Sequence, residues 1–192
     1  LGNLGIVACD MGDLENAYSY LLQGLEFARA DGNRSIESVL LANLSVVCLR
    51  QAKAAAALEY ARLSCDLASA LGAQRDVLNA LDALGAAHLE LGNAQAALAA
   101  HQEEEELAIR ENFPEHAANA AARQAAAYLA LGDLPTALQK VEPVLGEIER
   151  LVPNAVFSPA DLLFMCSQVL AAAGDKRLDL VLDQAHIWLQ SH

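Results

Sequence analysis

The chain has 192 residues, a formal charge of −13 and only 5% aromatic residues, a balance that argues against a nucleic-acid-binding surface, which needs clustered Lys and Arg. Only three residues are lysines. The 55% apolar content rests largely on Ala, which favours helix and lets neighbouring helices approach closely.

Taken in order, Leu1 to Met11 reads as part of a first helix and Leu14 to Ala30 as its partner, with Asp31-Gly32-Asn33 as the stop and turn. Ser35 reads as the N-cap of a helix reaching Arg50. Its apolar residues Ile36, Val39, Leu40, Leu44, Val47 and Cys48 recur at three- and four-residue steps, the helical period. Lys53 to Leu71 returns. Gln74 to Leu91 and Ala94 to Glu111 form a third pair, and Pro114 to Leu131 with Leu134 to Leu151 a fourth. Pro143 lies well inside its helix and is expected to kink it, since proline lacks a backbone donor and clashes with the preceding turn. The stretch 152–159 is the longest irregular one. Ala160 to Ala173 and Lys176 to Gln190 form the fifth pair.

One phrase recurs. Gly12, Ala52, Gly92 and Gly132 lie 40 residues apart, as do Ala17, Ala57, Ala97 and Ala137. A fixed period in the range of roughly 20–50 residues marks a stack of helical units. The expected fold is therefore all-α: a solenoid of about five antiparallel helix pairs, with repeats at about 1–33, 34–73, 74–113, 114–153 and 154–192. A single solenoid then covers 1–192, and a start at Leu1 inside a repeat suggests a piece of a longer multidomain protein. Gly174 falls 42 residues after Gly132, which puts the extra residues in the 152–159 connection.

The phrase resembles the tetratricopeptide repeat. Leu84-Gly85, His88, Gly92 and Ala97 carry the likeness in the third repeat, Leu4-Gly5, Gly12 and Ala17 in the first, and Tyr128, Gly132 and Ala137 in the fourth. The leading Trp of the strict motif is replaced by Leu41 and Leu81. The resemblance implies a right-handed superhelix. Repeats of this length occur in kinesin light chains, polarity adaptors and bacterial regulators. More narrowly, the run Ala137 to His186, with Val141-Glu142-Pro143-Val144-Leu145 and Val169-Leu170-Ala171-Ala172-Ala173-Gly174-Asp175, resembles the C-terminal repeats of bacterial signal-transduction (STAND-type) ATPases. In those proteins a nucleotide-binding switch precedes the repeats, often with an adenylate-cyclase or DNA-binding output domain. No P-loop pattern occurs in the sequence.

The family lines its concave groove with the first helix of each pair. Carried over, the groove takes Ile6, Cys9 and Asp10, then Val39, Ala42, Val46, Leu49 and Arg50. Asn79, Asp82, Ala86, Leu89 and Glu90 follow, then Asn119, Ala122, Ala126 and Leu129, and finally Phe164 and Gln168. The Lys, Arg and Asn clamp with which some members hold a terminal carboxylate is absent, so the groove suits a helix or an extended peptide. The plainer reading is that these residues only pack neighbouring helices.

His88 and His101 stand at positions the family gives to aromatic residues. They read as packing rings, and metal ligation with Glu104 or Glu105 is the weaker reading. Glu103 to Glu106 wraps most of a helical turn, so at least one acid must face a neighbour. Glu104 falls where other repeats carry Gly24, Ser64 and Val144, and Arg123 is its expected partner.

The four cysteines lack zinc or redox spacing and read as buried free thiols of a reducing, cytoplasmic compartment. Val39 to Leu49, the longest apolar run, is broken by Asn43 and Ser45, far short of the ~20 residues of a membrane span. Nothing assembles a catalytic triad. The expectation is a non-enzymatic, bacterial interaction or sensor module without cofactor or metal. It would bind a protein or peptide, neither nucleic acid nor membrane, and regulate an attached switch or output domain, transcription being one such output. Alternatives are an inducer-binding domain with a pocket near Asn79, Asp82 and Asn119, and self-association as a homodimer through an exposed solenoid end.

Overall fold

The computed structural model describes residues 1–148 and 159–191, and among these it contains ten α-helices and no strand. They are α1 (Gly2–Asp10), α2 (Leu14–Ala30), α3 (Arg34–Arg50), α4 (Ala54–Leu71), α5 (Gln74–Glu90), α6 (Ala94–Arg110), α7 (Pro114–Ala130), α8 (Leu134–Gly146), α9 (Pro159–Ala173) and α10 (Leu178–Ser191). The chain divides into two compact units, Leu1–Asn93 and Ala94–His192.

The turns explain the regularity. A residue with left-handed backbone stands at Gly12, Gly32, Ala52, Gly72, Gly92, Asn112 and Gly132, a step of 20, half the period seen in the sequence. The residue after it donates its N–H to a carbonyl five positions back, as Asp13 does to Ala8 at 2.8 Å and Asn93 to His88 at 2.9 Å. This closes the last helical carbonyls in a Schellman arrangement. Ala52, with φ 58°, is the strained member, because a Cβ in this region crowds the following carbonyl. Ala52→Gly is expected to stabilise the chain by about 0.5–1 kcal/mol. Gly92→Ala, whose Cβ would meet nothing within 4 Å, should cost about 1 kcal/mol from backbone strain alone. Urea titration of the two variants checks both signs.

Helix starts follow the same economy. Asp13, Asn33 and Asp133 accept the N–H groups of Asn16, Ile36 and Thr136. Asn33, not Ser35, is therefore the cap of α3, because its short amide reaches the N–H three residues on. α8 ends at Gly146 rather than at Leu151. Pro143 leaves the carbonyl of Gln139 without its helical donor, and the helix stops three residues later. The expected irregular stretch 152–159 lies outside the described residues up to 158, and α9 begins at Pro159.

In the first unit each helix packs on the next, and the first helices of successive pairs, α1 with α3 and α3 with α5, also touch. Leu21, Leu25, Leu40, Leu41, Leu44 and Val47 build its main core. Small residues set the spacing: a Cβ on Gly5 would come within 2.6 Å of Leu21 Cγ. Buried hydroxyls are satisfied in place. Ser64 Oγ donates to the Ser38 carbonyl at 2.8 Å, Ser38 Oγ to the Ser64 carbonyl at 3.2 Å, and Ser45 Oγ to the Ala57 carbonyl at 2.9 Å.

In the second unit α7 lies against α6, α8 and α9, and α10 packs on α9. Val141, Val144, Ile148, Leu163, Val169 and Leu170 are buried there with Ala121, Ala122 and Ala125. Arg177 ties the last turn to α8, donating to Asp175 at 2.6 Å and to Glu142 at 2.7 Å. Its hydrogen bonds hold the Asp175 carboxyl down to about 2. All four cysteines are free thiols. Cys166 is fully buried, and burial pushes its thiol up to about 12.

Candidate functional site

In the first unit the face formed by α1, α3 and α5 carries most of the residues expected to contact a partner. Ile6, Val39 and Val46 are exposed by 42%, 40% and 39%, high values for apolar side chains on packed helices. Asp10, Arg50 and Glu90 are exposed beside them, while Leu49, Asn79, Ala86 and Leu89 are half-buried. Cys9, Ala42 and Asp82 are buried, so they back this face rather than surface it. Val39 and Val46 sit two turns apart, and Asn43 falls between them on the same stripe. Arg50 Nη1 donates to the Cys9 carbonyl at 2.9 Å, placing a cation on the carbonyl end of α1, where the helix dipole favours it.

A cleft of about 600 Å³ opens at this face, with Ile6, Val39, Asn3, Asn43, Ile36 and Phe27 in its walls. Asn3, Asn43 and Phe27 were not singled out from the sequence. Asn43 was legible in the 39–43–46–50 stripe. Phe27, 64% exposed on α2, belongs to a second helix of a pair, which the family frame assigns to the opposite side.

In the second unit Asn119 and Ala122 are buried, Ala126 and Leu129 are half-buried, and Gln168 is exposed. Phe164 stands out on α9 with 61% exposure. The acid run 103–106 splits as its helical spacing requires. Glu103 and Glu106 face outward, Glu104 is fully buried and Glu105 is half-buried. Glu104 Oε2 lies 3.0 Å from His101 Nδ1, and neither side chain has any exposed surface. His101, one turn back on the same helix, holds this oxygen, a contact that the sequence reading, which pointed to Arg123, did not include. Glu105 is tied to Lys140 Nζ at 2.9 Å and to Gln124 Nε2 at 2.8 Å, contacts that the sequence reading missed. No helix among the described residues is long and apolar enough to cross a membrane.

Residues 1–70 match the family model described as tetratricopeptide repeat. This part of the chain is made of tetratricopeptide repeats. No curated protein matches the chain by sequence. Solved structures carry the tetratricopeptide-repeat fold through the rest. BtubC (BKLC) from P. vanneervenii aligns at a TM-score of 0.70 and 19% identity, over 98% of this chain and 78% of that one. Nearly identical repeats of a kinesin light chain from Podosopora anserina align at 0.69 and 16%, over 97% and 91%. The tetratricopeptide-repeat sensor protein of the STAND class from Pyrococcus horikoshii aligns at 0.62 and 19%, over 91% of this chain and 27% of that one. Tetratricopeptide repeats are protein-interaction scaffolds, and this chain has their helix pairs and turn frame.

Proposed function

We propose that this chain is a non-catalytic sensor module that binds a peptide or protein segment along the face of α1, α3 and α5. The observation that supports it is the exposed pair Val39 and Val46 beside Ile6. A helix stripe with no further role is usually polar on its solvent side, whereas apolar side chains two turns apart suit a helix or an extended peptide laid across them. Asn79, Arg50 and Glu90 would supply the polar rim and Leu89 a further apolar contact, while Phe164 would be a separate contact point within the second unit. Ala42 and Asp82 would back this face, and Asn119 and Ala122 are buried in the second unit.

By the likeness of its C-terminal repeats to STAND-type regulators, this segment would sit in a longer bacterial, cytoplasmic protein. There, partner binding biases an attached switch or output domain, transcription control being one such output. That requires different affinity for the two states of the switch.

Peptides selected from a displayed random library against the chain, then mapped by methyl NMR, test the binding face. The expected outcome is shifts concentrated at Ile6, Val39 and Val46. Shifts confined to other helices would overturn the assignment of the face.

A further inference from the structure

The three helices of the face formed by α1, α3 and α5 end on charges. Asp10, Arg50 and Glu90 are the last residues of these helices, stand 40 residues apart in the repeat frame and are all exposed. A helix ends on unpaired carbonyls at the negative pole of its dipole, so a cation is favoured there and a carboxylate is not. Arg50 follows this rule, and its guanidinium is committed to the Cys9 carbonyl at 2.9 Å. Asp10 and Glu90 break it. Among the described residues neither carboxylate has an ion pair or a hydrogen bond.

The other end of the face repeats the pattern. Asp31 is the C-cap of α2 and lines the cleft of about 600 Å³ together with Ile6, Ile36 and Val39. No other charged side chain stands in those walls. Arg29, two residues earlier, pairs with Glu37 at 2.8 Å instead, and among the described residues the Asp31 carboxylate has no ion pair or hydrogen bond. Between the two ends lie the exposed apolar side chains Ile6, Val39 and Val46. Residues that go against local stability gather where function requires them, and here three such carboxylates border one apolar face.

We propose that the segment bound on this face is basic, an apolar run with Lys or Arg on both sides. This rests on the reading of the face as a partner-binding surface. The apolar run lies on Ile6, Val39 and Val46, one cation meets Asp31, and the other meets Asp10 or Glu90 together with the carbonyl end of the helix. From Val39 to Arg50 the helix rises roughly 16 Å, which an extended segment covers in about five residues. An acidic segment would meet three carboxylates and one guanidinium already bonded to a carbonyl. The charges select the partner and set its register, while the apolar contacts hold it.

Peptides selected from a displayed random library against the full chain, and kept only where Val39→Ser/Val46→Ser weakens them at least tenfold, test this. The kept peptides are expected to carry more Lys and Arg than Asp and Glu. In titration calorimetry Asp10→Lys/Glu90→Lys should weaken them at least tenfold. Glu59→Lys/Asp66→Lys, the same change of charge at exposed positions of α4, should alter affinity by less than about threefold, because exposed charges off the face are screened. If Asp10→Lys/Glu90→Lys fails to fold, Asp10→Asn/Glu90→Gln decides in its place, with a loss of at least about threefold expected. Kept peptides that are neutral or acidic, that bind the folded face variant like the parent chain, or that lose as much to the α4 variant overturn the basic partner and leave the face standing. A library that yields no peptide dependent on Val39 and Val46 overturns the face itself, and the basic partner with it.

Discussion

Glu104→Val is expected to destabilise the second unit by about 1–3 kcal/mol in urea titration, the usual cost of leaving a buried hydrogen-bonding group without its partner. The expectation rests on depth. Glu104 and His101 have no exposed side-chain surface and meet at 3.0 Å. The other repeats show what the frame tolerates at these two places: Leu21 with Gly24, Ala61 with Ser64, and Val141 with Val144. None of those pairs carries a charge. His101→Val/Glu104→Val, which copies the fully or nearly fully buried Val141 and Val144, should therefore cost less than the sum of the two single variants, because neither of the two is then left behind without the other. Strict additivity would mean that the two side chains act independently and that their contact contributes nothing.

Leu21→Ala should cost about 2–5 kcal/mol, as deletion of a fully buried leucine does when its neighbours cannot collapse into the space. Leu21 has no exposed surface, and Gly5 of α1 lies so close to it that an added Cβ would sit 2.6 Å from Leu21 Cγ. Gly5→Ala alone is expected to cost about 1–3 kcal/mol through overpacking. In Gly5→Ala/Leu21→Ala the new methyl enters the space that the leucine vacates, so the double variant should be more stable than the two single losses predict. Equilibrium urea unfolding of the three variants measures this. A double variant as unstable as the sum would show that α1 and α2 do not meet at this point.

Much of the fold was legible because the turns dictate residue type. Left-handed backbone selects Gly, so Gly12, Gly92 and Gly132 announce the frame, and the helices follow from what lies between. The half-step of 20 was harder to see, since Ala52 and Asn112 occupy two of the same turns without being glycine. Helix ends were displaced where a competing side chain or proline acts, as at Asn33 and Pro143.

The binding face was legible only in outline. Helical phase gives the side of a residue, not its depth. Val39 and Ala42 share a face three residues apart, yet one is 40% exposed and the other 8%, a difference set by how closely the neighbouring helices approach. Glu105 was hidden inside a run of four acids. Its meaning comes from Lys140 and Gln124, which are 35 and 19 residues away in the chain.

The account stands most directly on the exposed valines of α3. Val39→Asp/Val46→Asp changes only solvent-facing side chains and should leave the far-ultraviolet circular dichroism and melting temperature close to those of the parent chain. The affinity of a library-selected peptide, measured by titration calorimetry on both forms, is predicted to fall at least tenfold, about 1.4 kcal/mol. Equal affinity for the folded double variant would contradict the assignment of this face as the partner-binding surface.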